Sequence, residues 1–153
     1  MPSERSSFEV ANNKKARFEY EIIETFEAGI VLKGTEVKSM RARKVNINDA
    51  FARIKNGEAF IVGMNIALYE MGNRFNHEPE RERKLLLHTR EIKRLTGKLK
   101  EKGYTMVPLK AYFKEGKVKV LLGLGKGKAK YDKRRTIQKR DSDREMQRAL
   151  KYR

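Results

Sequence analysis

The chain has no cysteine and no tryptophan, and only three prolines and two histidines, in 153 residues. Without cysteine there is no disulfide framework, no thiolate chemistry and no Cys-based zinc site. The two histidines, His77 and His88, stand at a spacing that fits no metal motif, and HExxH is absent. Long apolar runs are also missing: none approaches the ~20 residues of a transmembrane helix. The N-terminus, MPSERSSFEV, is polar and lacks the apolar core of a signal peptide. No Ser or Thr sits in a triad pattern. These gaps argue against secreted, membrane and common hydrolytic classes. They lead us to expect a cytoplasmic protein with no catalytic residue, no metal and no cofactor.

Lysine and arginine are abundant. There are 37 of them against 20 Asp and Glu, a net charge of +17. Such a surplus is the electrostatic footprint of a polyanion binder, with phosphate-bearing partners first among them. The end of the chain, Gly125 to Arg153, holds twelve Lys/Arg and four Asp/Glu, a surplus of +8 in 29 residues. Seven of its residues are apolar, too few to offset the entropy of ordering. We therefore divide the chain into a flexible leader (1–12), a β-rich body (13–126) and a basic tail (127–153). The tail is expected to be disordered alone and to fold on a partner. If it is helical there, Met146, Ala149 and Leu150 share one face.

Read in order, the body gives six strands and two helices. Phe18, Tyr20 and Ile22 alternate with Glu19 and Glu21, the period of a half-buried strand. Glu27-Ala28-Gly29 reads as a turn, with a second strand from Ile30 to Lys33. Thr35 is placed to cap a short helix from Glu36 to about Arg43, with Val37 and Met40 inward. Asn46 to Lys55 and Glu58 to Met64 flank Asn56-Gly57, a pair suited to a type I′ hairpin. Residues 65–88 read as a long irregular loop. Thr89 is placed to cap a helix running to about Lys102, with Ile92, Leu95 and Leu99 as its apolar stripe and Gly103 as its stop. The last two strands flank Lys114-Glu115-Gly116-Lys117, and Pro108 places the first of them at an edge.

Short connections imply antiparallel pairing, and a small sheet avoids exposed edges by closing. The expected fold is mainly β: a small antiparallel closed barrel of the oligonucleotide-binding type, with two or three flanking helices and a basic C-terminal tail. An open α+β sandwich is the alternative.

The candidate phosphate contacts from the residues themselves are Lys15, Lys38, Arg41, Arg81, Arg83 and Lys84. Gly123-Leu124-Gly125-Lys126-Gly127-Lys128 is not a Walker A motif. Its glycines either let the backbone approach phosphates, with Lys126 and Lys128 neutralising them, or form a hinge before the tail. Carboxylates are plentiful, Asp49 among them. A metal-dependent nuclease is a minor alternative, set aside because most carboxylates have Lys or Arg close by.

Several blocks together resemble the bacterial small protein B (SsrA-binding protein) family. They are Asn13-Lys14-Lys15-Ala16-Arg17-Phe18-Glu19-Tyr20, Phe26-Glu27-Ala28-Gly29-Ile30 and Gly34-Thr35-Glu36-Val37-Lys38-Ser39. Further on come Asn76-His77-Glu78-Pro79, Arg81-Glu82-Arg83-Lys84-Leu85-Leu86-Leu87, Gly125-Lys126-Gly127-Lys128 and Tyr131-Asp132-Lys133-Arg134. Their order is the family's; one departure is Leu68, where the family usually has proline before Tyr69.

The resemblance implies an RNA-binding adaptor, not an enzyme. It would bind the tRNA-like domain of transfer-messenger RNA, deliver it to stalled ribosomes and mimic the missing anticodon arm in trans-translation. By position it implies RNA-facing roles for Glu27, Leu86 and His88. It implies ribosome contacts in the decoding region and mRNA channel for the tail, through Tyr131, Asp132, Lys133 and Arg134, to which the tail helix would add Met146 and Leu150. From the residues alone, Glu27 could equally cap backbone donors in a turn, and Leu86 could be core. The protein is expected to act as a monomer away from membranes. The alternative function is a generic ribosomal or other structured-RNA-binding barrel protein.

Overall fold

The computed structural model describes residues 7–128 and Arg144. Tyr131, Asp132, Lys133, Arg134, Met146 and Leu150, with the expected tail helix, lie outside the described residues.

The chain enters the fold earlier than the sequence predicts. Strand β1 (Phe8–Asn12) pairs with the strand that carries Phe113. Val10 is buried in the core and the Phe8 ring stacks on Phe113 at 4.9 Å. The expected leader therefore loses residues 8–12, because one buried valine and one ring pair suffice to pin an edge strand.

The strand expected from Phe18 starts two residues later, after a helix. Lys14–Glu19 is helix α1, and β2 runs from Tyr20 to Ile30. Asn13 decides this. Its side chain accepts from the Ala16 N–H at 3.0 Å and donates to Pro108 O at 2.9 Å and Ile47 O at 3.2 Å. A buried cap of this kind satisfies an orphan helix donor and fixes the entry of the chain.

Glu27-Ala28-Gly29 is not a turn but the continuation of β2, which ends at Ile30, so the separate strand expected from Ile30 to Lys33 does not form. Gly29 is needed for space, not for positive φ: a Cβ there would lie 3.3 Å from Leu86 Cβ.

Helix α2 spans Gly34–Arg41, with Met40 fully buried and Val37 packed against the core as expected. Its cap is Lys33, not Thr35; the Lys33 N–H donates to Glu36 Oε1 at 2.7 Å. Then follow β3 (Val45–Asn46), β4 (Phe51–Lys55), β5 (Glu58–Val62) and β6 (Asn65–Ile66). The β4–β5 hairpin is the one the Asn-Gly pair predicts, with φ of 53° at Asn56 and 75° at Gly57.

A 3₁₀ turn (Glu70–Phe75) and β7 (Arg83–Leu86) lie inside the stretch read as irregular. Helix α3 (Thr89–Leu99) is capped by His88, not by Thr89, which is its first helical residue, and its Leu95 is buried. The chain ends its described part with β8 (Tyr104–Lys114) and β9 (Lys117–Gly127).

Seven strands form one antiparallel sheet, and six of them make a closed ring in the order β8–β4–β5–β7–β2–β9 and back to β8. The mainly β, ring-closed architecture is the one the sequence led us to expect. β1 adds to β8 outside the ring, while β3 and β6 form a separate two-stranded pair. Two register shifts, at Ile22/Glu24 and at Pro108/Lys110, fall in the long strands. Such bulges bend a strand and help a sheet curl. Pro108 thus sits at a bulge inside β8 rather than at the start of an edge strand. Inward residues of the ring, among them Phe26, Ile61, Leu85, Met106, Val120 and Leu122, form the core.

Candidate nucleic-acid interface

The β8–β9 hairpin turns through Glu115 and Gly116, with φ of 52° and 79°. On both strands, alternate residues face the core: Ala111 and Phe113 on β8, Val118, Val120 and Leu122 on β9. Strand alternation then places Lys110, Tyr112 and Lys114, and Lys117, Lys119 and Leu121, on the outer face. The register joins β2 to this face, for Glu27 lies opposite Leu121 and Gly29 opposite Lys119. Gly29 is also the partner of Leu86 on β7. Glu27, Gly29, Leu86 and the hairpin lysines therefore belong to one surface. Leu86 is half exposed on it, at 52%.

This face is crowded with like charge. Lys114 stands opposite Lys117, and Tyr112 opposite Lys119. Among the described residues neither Lys117 nor Lys119 has an ion-pair partner. Like charges opposed on a sheet repel, so such a face favours a bound polyanion. Glu27 is the acidic exception. Its carboxylate accepts from the Tyr112 hydroxyl and lies 3.4 Å from Lys114 Nζ. The hydroxyl bond first, and the lysines after it, hold the Glu27 carboxyl below its ordinary range. Burial and then the Glu27 charge push the Tyr112 phenol up. At neutral pH the pair is one carboxylate and one intact phenol.

The predicted site residues do not all gather here. Glu27 and Leu86 do. Lys84, on the same side of β7 two residues before Leu86, lies at the margin and is tied to Glu58 at 3.5 Å. His88 is exposed just beyond β7, where its backbone N–H donates to Glu91. Lys38 lies over the Tyr69 ring and Arg41 over the Phe113 ring, both on α2. Lys15 is on α1, bound to Asp49 at 2.8 Å. Lys126 lies over Tyr104, and Lys128 donates to Arg17 O, at the far end of β9.

Arg83 requires a correction. It is fully buried and paired with Glu36, and it also donates to Met64 O, Glu78 O and Pro79 O. No phosphate reaches it. Arg81 is drawn into the same cluster, 2.7 Å from Glu36.

The glycine run is corrected as well. Residues 123–127 are strand, and Cβ atoms at Gly123 and Gly125 would come within 2.9 Å of Leu109 Cδ1 and 2.8 Å of Tyr20 Cβ. These glycines allow close packing of β9 on its neighbours and form neither a phosphate loop nor a hinge.

What the sequence reading missed was Lys110, Tyr112, Lys114, Lys117 and Lys119. Their signal was present as period-two lysines on both sides of Glu115-Gly116.

Among the described residues no three of His, Asp and Glu gather where a metal ion could be held, and no helix is long and apolar enough to cross a membrane. A ring-closed β sheet with one lysine-rich outer face defines a polyanion-binding β protein. The chain belongs to the SmpB protein family, whose model matches residues 10–152.

It is 61% identical over 144 residues to the SsrA-binding protein of Shouchella clausii (strain KSM-K16), covering 94% of this chain and 92% of that one. It is 59% identical over 144 residues to the SsrA-binding protein of Geobacillus sp. (strain WCH70), covering 94% and 93%. A solved structure described as "tmRNA-SmpB: a journey to the center of the bacterial ribosome" superposes with a TM-score of 0.67 at 52% identity. It covers 83% of this chain and 93% of that one.

Proposed function

We propose that this protein is an RNA-binding adaptor of trans-translation. It binds transfer-messenger RNA, delivers it to stalled ribosomes and stands in for the missing anticodon arm. Names and subject of the relatives, SsrA-binding proteins and a tmRNA-SmpB structure, support the RNA and the ribosome as partners. One observation on the chain itself carries the reading: the outer face of β2, β9 and β8 offers Lys110, Lys114, Lys117 and Lys119 around one carboxylate, beside the exposed Leu86. Lysines there neutralise phosphates, while Leu86 and Glu27 read the shape and edges of the RNA. Lys84 and His88 extend the surface at β7, and Lys38 and Arg41 supply further cations from α2. The basic tail, 127–153, is the ribosome-facing part, entering the decoding region and the mRNA channel through Tyr131, Asp132, Lys133 and Arg134, with Met146 and Leu150 on the face of its helix. The protein works in the cytoplasm as a monomeric adaptor and performs no chemistry on the RNA.

The test is binding of purified protein to transfer-messenger RNA and to an ordinary tRNA across a salt series. Preference for transfer-messenger RNA that persists near physiological salt is expected. Equal affinities that vanish together with salt would leave a generic structured-RNA binder. A chain ended after Gly127 is expected to keep RNA binding and to lose rescue of stalled ribosomes in a reconstituted translation assay. Wholesale loss of RNA affinity in that truncation would overturn the division of labour between body and tail.

A further inference from the structure

A carboxylate on a phosphate-binding face is a cost unless something else uses it. Glu27 repels phosphate, yet it sits among Lys110, Lys114 and Lys119. Lys114 Nζ reaches both of its oxygens, but only at 3.4 Å, while Oε2 takes the Tyr112 hydroxyl as its closest partner. Tyr112 reaches it from β8 across the intervening β9, for Glu27 pairs with Leu121 and Tyr112 with Lys119. The tyrosine is well anchored: 9% exposed, with Lys110 Nζ over its ring at 5.6 Å. An ionised carboxylate accepts hydrogen bonds at about four lone-pair sites. Tyr112 occupies one of them and Lys114 lies 3.4 Å from both oxygens, while the side chain remains 38% exposed to a further donor. What such a group can accept from RNA is an N–H on a base edge or a ribose 2′-OH, never a phosphate, and of these the base edge is the one that carries sequence.

We propose that Tyr112 is a positioning residue for RNA selection: its hydroxyl aims the Glu27 carboxylate out of the lysine face, where the remaining lone pairs accept N–H groups from an unpaired nucleobase. Removing the hydroxyl frees Glu27 to turn onto Lys114 and Lys119, so the face keeps its net charge and loses its selectivity. The protonation states agree with this arrangement, since the phenol is held protonated and the carboxyl ionised. The inference rests on the RNA-binding role proposed above.

The test is a double-mutant cycle with Tyr112→Phe, Glu27→Gln and the two combined, on transfer-messenger RNA and tRNA transcripts. Tyr112→Phe is expected to weaken binding of transfer-messenger RNA by about tenfold, the loss of one hydrogen bond to a charged group. The salt slope should not change, because no phosphate contact is removed. In the Glu27→Gln background, Tyr112→Phe should have a much smaller effect, because the neutral amide oxygen makes a weaker bond to the hydroxyl. Glu27→Asp, which keeps the charge but draws the carboxylate back from the hydroxyl, should weaken binding similarly and also mask Tyr112→Phe.

A pH series adds a readout that packing alone would not move. The charged groups facing Glu27 are Lys110 and Lys114 on β8, Lys119 on β9 and Glu9 on β1. These remain in the Tyr112→Phe variant and take Glu27 over, so the acid loss of affinity that Glu27 protonation causes in the parent should shrink in the variant. Parental affinity in Tyr112→Phe, or a loss that persists undiminished in the Glu27→Gln background, would overturn the proposal. If the parent protein fails to prefer transfer-messenger RNA, the RNA assignment fails separately, while the coupling of Tyr112 to Glu27 is still read on either transcript.

Discussion

At the scale of single residues, burial decides which charges are available to a partner. Glu36 and Arg83 are both 0% exposed. Arg83 serves three carbonyls besides Glu36, so its removal strands buried acceptors and leaves Glu36 with Arg81. Arg83→Met is expected to lose about 3–5 kcal/mol, measured by urea unfolding.

The same cluster predicts a pH dependence. Burial alone would raise the Glu36 carboxyl. The bonds from Arg81, the Lys33 N–H and Arg83 outweigh burial and hold it below 4.5. A carboxyl depressed in the folded state stabilises the fold above its unfolded pKa and loses that contribution as pH falls through its folded one. The urea midpoint should therefore be flat from neutral pH down to about pH 5 and fall below it. In Glu36→Gln, which starts less stable, the acid fall should be shallower. Close packing predicts a second outcome at this scale. Gly125→Ala drives a methyl against Tyr20 Cβ, an atom fixed to the backbone, and should cost about 1–3 kcal/mol. Gly123→Ala meets mainly the mobile end of Leu109 and should cost less.

Elements were legible where a local signal was strong. The Asn56-Gly57 hairpin, the core face of α2 and the stripe of α3 could all be read because turn chemistry and periodicity act over a few residues. The failures occurred where distant contacts decided. Phe18 and Glu19 open the alternation of a strand, but Asn13 bonds to residues 34 and 95 positions away and caps a helix that takes them in. Glu27-Ala28-Gly29 looks like a turn, but its pairing with β7 and β9 keeps it extended. Arg83–Leu86 looks like a loop because a buried arginine disguises its alternation. Two predictions belong here. Gly97 lies in α3 with open space around its missing Cβ, so Gly97→Ala should stabilise by about 0.8–1 kcal/mol in thermal or urea unfolding. Deleting residues 1–12 removes β1 and exposes the Val10 site, which should cost at least about 1.5–3 kcal/mol.

For the whole molecule, the question is where a net charge of +17 is spent. Much of the body's charge is internally matched: Lys15 with Asp49, Arg53 with Glu82, Arg94 with Glu24, Arg81 and Arg83 with Glu36. The β8–β9 hairpin keeps an unmatched surplus. Replacing Lys117 and Lys119 together by alanine should reduce the slope of log affinity against log salt by about one unit per lysine. Lys15→Ala, on α1 and already paired with Asp49, should leave that slope nearly unchanged. Salt-series binding to transfer-messenger RNA measures both.

By itself the sequence determined the class of partner, the mainly β character, the tight turns and, through its spaced blocks, the family. Charge totals and turn residues are local or summed properties, so no three-dimensional information is needed to read them. Tertiary structure alone decided which cations face outward. Whether Arg83 is exposed or pairs with Glu36, and whether Tyr112 is core or bonds to Glu27, depends on strands that lie far apart in the chain and meet in the fold. The ring closure that brings β2, β9 and β8 side by side is what turns scattered lysines into one surface.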